Sequence, residues 1–254
     1  MSVDVELVAD QMWAAAQQGD YRPAPLVGSL SYEQGLDVQL ALLDRKIAEG
    51  ARLGGWKVGL TSPRARKGIG VDERPFGHIL AERILPSGSS VEAAVLTQGG
   101  VEPEMMFTFG EAVEGSNPSE DELRGAVSRV SAGFELNEFR AGSGPFDFPM
   151  MVADGMAQWG VVEGSGITDI GDLNEVEVLM ASNGEQRAHH ISKDVLDDHW
   201  ASLNRLVAVL ARHGRRIEAG HRVITGAFCR MEAQAGDLWT ADYGGIGSVE
   251  VRLA

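Results

Sequence analysis

The sequence predicts an α+β fold, with a strand-rich body flanked by a small number of helices. Three observations carry this reading. The 32 glycines are scattered rather than periodic, as tight turns between many short strands require. Apolar residues recur at helical spacing in a few segments and in short runs bounded by turn residues elsewhere. No segment repeats at a fixed period, which argues for one compact body rather than an array. At 254 residues the chain is long enough for a sizeable core, and 44% hydrophobic with 23% charged residues is an ordinary globular balance.

Taken in order, residues 4–18 place Val5, Val8, Met12 and Ala16 on one helical face, and Asp20 to Pro25 ends that helix with breakers. A second helix starts at Ser31, where Ser31-x-x-Gln34 has the form of a capping box. Leu36, Leu40, Leu43 and Ile47 supply its apolar stripe, and Gly50 closes it. Gly54-Gly55-Trp56-Lys57-Val58-Gly59-Leu60-Thr61-Ser62 reads as a short strand whose glycines let backbone or ligand approach closely. Gly70 to His78 forms a loop placed to lie over a pocket. Pro86 to Ser90 is turn-rich, so the expected division is an N-terminal lobe, 1–90, and a main body, 91–254.

In the main body a strand covers 101–109. Ser119-x-x-Glu122 is a second capping box, opening a helix with Leu123, Val127 and Val130 on its buried side that delivers the chain to Glu135. Strands are expected over 148–152, 157–162 and 176–182. Asn183-Gly184 is a two-residue hairpin signal that turns Gln186 to His190 back on the last of these. A long helix follows, with Leu196, Trp200, Leu203, Leu206, Val207 and Leu210 at i, i+3, i+4 intervals and Gly214 just past its end. Short strands at 223–226, 238–240 and 249–253 finish the chain.

A net charge of −15 and a pI near 4.8 argue against nucleic acid, since Arg64-Ala65-Arg66-Lys67 and Arg215-Arg216 are too short to make a basic patch. Cys229 is the single cysteine, so no intrachain disulfide forms, and it reads as a packed thiol. No apolar leader opens the chain and no run reaches the length of a membrane span, so a cytoplasmic protein without a membrane partner is expected. The histidines 189, 190 and 199 fit no standard zinc spacing, and the glycines at 244, 245 and 247 precede a strand rather than a helix, which does not suit a dinucleotide loop.

The informative stretch is Val101-Glu102-Pro103-Glu104-Met105-Met106-Phe107. In an extended strand Glu102 and Glu104 share a face while Val101, Pro103 and Met105 take the other. Two carboxylates so close repel. A hard divalent cation such as Mg²⁺ or Mn²⁺ relieves that repulsion; a bare Glu-x-Glu is equally a polar strand face in water. Lys57, between Trp56 and Val58, reads either as a surface lysine with a buried stem or as a cation suited to an acidic substrate.

Several segments together resemble the fumarylacetoacetate hydrolase superfamily, in its branch of 2-hydroxypenta-2,4-dienoate hydratases and 4-oxalocrotonate decarboxylases. They are Trp56-Lys57-Val58-Gly59-Leu60-Thr61-Ser62, Gly70-Val71-Asp72, Val101-Glu102-Pro103-Glu104, Phe134-Glu135, Val152-Ala153-Asp154, Val223 to Ala227 and Gly245 to Val249, in that order. The resemblance implies a mixed β-roll with flanking helices and a small helical N-terminal lobe. It also implies Mg²⁺ or Mn²⁺ held by Glu102, Glu104 and Glu135, with Lys57 beside the substrate. Asp72 and Asp154 are the further candidates for proton transfer, Thr225 for orienting a substrate oxygen, and Glu33, with Gln39 on the same helix, for lining the pocket; each is also readable as an ordinary turn, strand or helix-surface residue. Glu138 competes with Glu135 as third ligand, but the Phe-Glu-Leu setting matches Glu135.

The implied activity is a metal-dependent lyase, hydratase or decarboxylase, acting on a small 2-oxo or 2-hydroxy-dienoate acid of aromatic meta-cleavage catabolism. A homo-oligomer, or a complex with a pathway enzyme, is the implied assembly. A C–C bond hydrolase of acylpyruvates and a non-catalytic partner subunit are the alternatives. Three departures from the resemblance surround the expected substrate rather than the metal. Pro75 stands before Phe76-Gly77 where relatives carry an acid, Gly155-Met156-Ala157 replaces Asn-Ala-Ser, and Asp197 to Trp200 replaces a Gly-His-Pro stretch.

Overall fold

The computed structural model describes residues 3–254. Seven helices are α1 (Val5–Ala16), α2 (Tyr32–Ala48), α3 (Pro63–Ile69), α4 (Glu120–Ala126), α5 (Phe148–Ala153), α6 (Ser192–Val195) and α7 (His199–Arg212). The strands of the first half are β1 (Leu53–Val58), β2 (Phe76–Leu80), β3 (Ile84–Pro86), β4 (Ser89–Val91), β5 (Gly100–Phe109) and β6 (Val127–Asn137). Those of the second are β7 (Gln158–Ile167), β8 (Glu177–Ser182), β9 (Glu185–Ile191), β10 (Arg222–Ala227), β11 (Met231–Glu232), β12 (Leu238–Asp242) and β13 (Ser248–Leu253). They build two sheets. The larger runs β2-β1-β10-β5-β6-β7-β3, with β11 paired to the start of β5; the smaller runs β4-β13-β12-β8-β9.

The core lies between the sheets and under α7. Phe107, Phe134, Trp239, Val251 and the α7 residues Leu203, Leu206 and Leu210 are buried in it, each side chain contributing roughly 1.5–3 kcal/mol by leaving water. The ring of Trp200 meets Phe107 edge-on at 5.6 Å. Tyr243 ties the sheets together: its hydroxyl lies 2.6 Å from the Gly133 carbonyl, to which it donates, and 3.2 Å from the Glu104 carbonyl. A second cluster, built from Val8, Met12, Val38, Leu42, Met150 and Ala153, packs α1 and α5 on α2.

Local chemistry explains the helix ends. Ser31 accepts from the Gln34 N–H while the Gln34 side chain accepts from the Ser31 N–H, the reciprocal pairing its spacing predicts. Gly214 adopts φ 68° after α7, and Asn183-Gly184 takes φ 54° and 82° in the hairpin between β8 and β9.

Two expected elements differ. The helix opened by Ser119 stops at Ala126, and 127–137 is strand β6, because Val130, Ala132, Phe134 and Leu136 alternate with the opposite face at period two. The expected strand 148–152 is helix α5, since Asp147 caps the Met150 N–H and Pro149 occupies the first turn, where a missing N–H costs nothing. The division near residue 90 does not part the sheets. β1 and β2 belong to the large sheet beside β10, and β4, which spans the boundary, pairs with β13.

Candidate active site

Antiparallel register assembles the site. On β5, Glu102 and Glu104 share a face, and Glu102 stands directly opposite Glu135 of β6. One oxygen from each of the three carboxylates falls within 4.8 Å of the others. Like charges facing one another across a strand pair are destabilising, so each needs a local partner. Lys57, arriving from β1, donates to Glu135 Oε1 at 2.5 Å and to the Met156 carbonyl at 3.1 Å. The N–H of Gly226 donates to Glu104 Oε2 at 2.6 Å. That N–H is free because the β10–β5 pairing slips between Ile224 and Ala227, turning one backbone donor from the ladder to a side chain. Gly226 is required there: its φ is 120°, and a Cβ would collide with Thr61 Oγ1. Glu102 has Arg230 Nε at 3.9 Å, and Arg230 is itself fixed on the Gln98 carbonyl and Asn137 Oδ1.

The balance of charge favours a cation. Burial, then the charge of Glu135, lifts the Glu102 carboxyl to about 7 and pushes Glu104 well above the carboxylate range. Burial pulls Lys57 down, but Glu135, Glu102 and Glu104 together outweigh it, so the ammonium keeps its proton more firmly than usual. Glu135 Oε2 is buried with no hydrogen-bond partner. An unpaired carboxylate oxygen among three converging acids is a donor set suited to a hard divalent ion, which takes oxygen ligands.

Burial and the neighbouring Glu135 push the Glu102 carboxyl from the ordinary 4.5 up to about 7, so folding favours its protonated form. The contribution, on the order of 3 kcal/mol, is fully present below pH 4.5 and is lost as pH rises through 7. In chelator, the melting temperature should therefore carry a loss across that window that is smaller in Glu102→Gln, where only Glu104 of the two raised carboxyls remains. Divalent cation, competing with protons for the same oxygens, should bind more tightly with rising pH and release protons. Calorimetry in two buffers of different ionisation enthalpy measures that release.

The carboxylates and Lys57 open into a cavity of about 1100 Å³. Its walls come from the turn after β1 with α3, the segment entering α5, the end of β9 with α6, and the stretch after β10. The structure does not bring the remaining candidates into it. Asp72 is exposed on the loop after α3, where its carbonyl accepts from Arg74. Asp154 lies in a small neighbouring pocket, its carboxylate held by Arg140 at 2.9 Å and raised to about 6 by burial. Thr225, fully buried, bonds His199 Nδ1 at 2.7 Å, because alternation on β10 sends it to the face opposite Gly226. Glu33 sits on the outer face of α2, 3.5 Å from His213. Gln39 is buried in α2 and donates to the Phe76 and Val152 carbonyls, joining β2 to α5.

The departures have local roles. Pro75 is buried, and its carbonyl accepts from the Gly59 N–H at 2.7 Å. Met156 adopts φ 61°, which presents its carbonyl to Lys57. Asp197 receives both Arg66 and Arg74, tying α3 and the loop after it to the start of α7. Arg230, Asn137 and Gly226 were not singled out from the sequence; a bulge and a guanidinium resting on a carbonyl leave no motif.

A two-sheet roll carrying three converging carboxylates beside a buried lysine is the arrangement that the resemblance to the fumarylacetoacetate hydrolase superfamily implies. No protein-family model matches the chain. Along nearly its whole length the chain is similar to hydratases and decarboxylases. It is 28% identical to a 2-keto-4-pentenoate hydratase of Paraburkholderia xenovorans, over 98% of this chain and 94% of that protein. It is 27% identical to a 4-oxalocrotonate decarboxylase of a Pseudomonas strain, over 88% of this chain and 86% of that protein. Among solved structures, 4-oxalocrotonate decarboxylase from Pseudomonas putida G7, complexed with magnesium and adipate, superposes with a TM-score of 0.88 at 25% identity, covering 98% of this chain and 97% of that one. Among the described residues, no helix is long and apolar enough to cross a membrane.

Proposed function

We propose that this protein is a divalent-metal-dependent lyase that hydrates or decarboxylates a small 2-oxo or 2-hydroxy-dienoate acid. The observation that carries the proposal is the convergence of Glu102, Glu104 and Glu135 within 4.8 Å at the floor of a cavity that also holds Lys57. Mg²⁺ or Mn²⁺ is the proposed cation, both being hard ions that accept three carboxylates and still leave positions for substrate oxygens. When bound, the ion supplies positive charge that lowers the cost of electron density building on the substrate's C2 oxygen.

The chain's own residues do the rest. The Lys57 ammonium has three donors and gives two of them to Glu135 and the Met156 carbonyl, which leaves one to meet the substrate carboxylate or deliver a proton. Glu135 fixes the direction of that amine. The Gly226 N–H holds Glu104 in a single orientation, and Arg230 offsets the charge of Glu102 at the rim. Hydration adds H and OH across a double bond conjugated to C2; decarboxylation breaks a C–C bond and leaves its electron pair delocalised toward the same oxygen. Both outcomes use one electron sink, so one site serves either.

Asp72 and Asp154 have no place in this scheme: one is in solvent and the other is occupied by Arg140. A reducing cytoplasm suits the free thiol of Cys229, and a homo-oligomer or a complex with a pathway enzyme is proposed on the resemblance alone.

Loss of ultraviolet absorbance by conjugated dienoate and 2-oxo-enoate acids, with Mg²⁺, with Mn²⁺ and with chelator, tests the reading. Chelator-sensitive consumption to a single hydroxy-oxo acid, or to CO₂ and a dienol, is expected. Release of two carboxylic-acid fragments would instead make the protein a C–C hydrolase, and no turnover with either ion would refute catalysis.

A further inference from the structure

The cavity is far larger than its chemistry demands. At about 30 Å³ per non-hydrogen atom, a five-carbon hydroxydienoate fills roughly 240 Å³, against a cavity of about 1100 Å³. The excess volume lies beyond the carboxylates and is walled mainly by apolar side chains. Leu60 and Ile69 come from the turn after β1 and from α3, Phe139 and Phe146 from the segment between β6 and α5, Met151 from α5, and Phe228 from the stretch after β10. Phe139 and Phe146 are 42% and 57% exposed. Two large aromatic side chains left in water at the mouth of a cavity are a cost unless something apolar covers them.

Charge points the same way. The one buried cation of this cavity is Lys57, at the floor among the carboxylates, where it meets the acid end of a substrate. Arg64 and Arg230 are on the exposed rim, and Arg230 is already engaged by the Gln98 carbonyl, Asn137 and the ring of Phe139. Asp194, also on the wall, would oppose a second carboxylate. Besides the rim arginines only the half-buried His190 lines the wall as a possible partner, and a far carboxylate laid along Phe146 and Met151 would give up part of its hydration with no buried cation in return.

Resting on the lyase reading above, we propose that the preferred substrate is a 2-hydroxydienoate bearing an apolar substituent on its terminal carbon, rather than the unsubstituted five-carbon acid or a dicarboxylate. The acid end sits at Lys57 and the carboxylate triad, and the substituent lies along Phe139, Phe146 and Met151. The favoured reaction is then hydration, because decarboxylation to a dienol requires a second carboxylate on the substrate.

The test is a kcat/KM series in Mg²⁺ over 2-hydroxypenta-2,4-dienoate, its terminal methyl and propyl homologues, and 2-oxohex-3-enedioate, run on the wild type and on Phe146→Ser. Each added methylene should raise kcat/KM about threefold, the dicarboxylate should be the poorest substrate, and Phe146→Ser should bring the propyl-to-unsubstituted ratio toward one. A merely structural effect of Phe146→Ser would lower all four substrates together and leave that ratio unchanged, which would overturn the placement of the tail. A flat or falling homologue series would overturn the substrate class. So would a preference for the dicarboxylate that disappears in Arg64→Gln or Arg230→Gln. Absence of turnover on all four substrates with either Mg²⁺ or Mn²⁺ would instead strike the lyase reading itself, and this inference with it.

Discussion

Glu104→Gln is expected to lower metal-dependent turnover at least about 100-fold while leaving the protein folded. The substitution keeps the size of a side chain that is 2% exposed and removes one of three anionic oxygen donors. Losing a group that merely orients a ligand already costs 10- to 100-fold in comparable sites, so losing a direct ligand sets that range as a floor. Stability should move the other way. Burial and the charge of Glu135 push the Glu104 carboxyl well above its usual range, so at pH 8, where the unfolded chain ionises freely, the folded wild type without cation carries a cost of proton uptake or repulsion that the glutamine variant lacks. The variant should melt higher than the wild type in chelator and gain less from added Mg²⁺. Wild-type turnover in the variant, or a lower melting temperature in chelator, would contradict a ligand role for Glu104.

The second large effect falls on Lys57. Lys57→Met preserves the aliphatic stem and deletes the ammonium that meets Glu135 at 2.5 Å. Breaking a buried pair from one side typically costs 3–5 kcal/mol because the remaining charge has no partner. The metal-free variant should therefore be destabilised by about that amount at pH 8, and by less below pH 7, where the carboxyl cluster takes up a proton instead. Saturating Mg²⁺ should restore much of the stability, since the ion replaces the missing positive charge. It should not restore turnover, which should stay roughly 100-fold down because no donor remains for the substrate. Arginine is no substitute: its longer, planar guanidinium cannot repeat the single-point geometry by which the Lys57 ammonium meets both Glu135 and the Met156 carbonyl. Thermal melts with and without Mg²⁺, paired with initial rates, separate the two roles.

Much of the site could be read from the chain because it depends on the period-two geometry of a strand. Glu102 and Glu104 had to share a face once 100–109 was extended, while Glu135 came from the family resemblance, through its Phe-Glu-Leu setting. Cap chemistry likewise located the start of α2 and of α4. What escaped reading depends on neighbours distant in sequence. Val127 and Val130 suit a helical stripe as well as a strand, and only pairing with β5 on one side and β7 on the other decides between them. The run of apolar residues in α5 suits a strand until Asp147 is seen capping it. Asp154 and Thr225 carry reactive side chains on the right segments, yet Arg140 takes one and His199 the other, and neither partner is visible as a pattern. Gly226 shows the reverse case, a residue with no side chain whose backbone donor holds the proposed ligand Glu104 only because a bulge turned it.

The opposition of Glu102 to Glu135 has a consequence for anyone wishing to build such a centre elsewhere. The three acids are brought together by how two neighbouring strands are aligned, not by a contiguous loop that can be lifted out and grafted. A host scaffold given the same residues with its hairpin slid by one position would send one carboxylate to the opposite side of the sheet, into oil instead of toward the ion. The portable unit is therefore the aligned pair of strands together with the kinked third strand that supplies the amide, and a transplant of anything smaller would carry the letters of the site without its meaning.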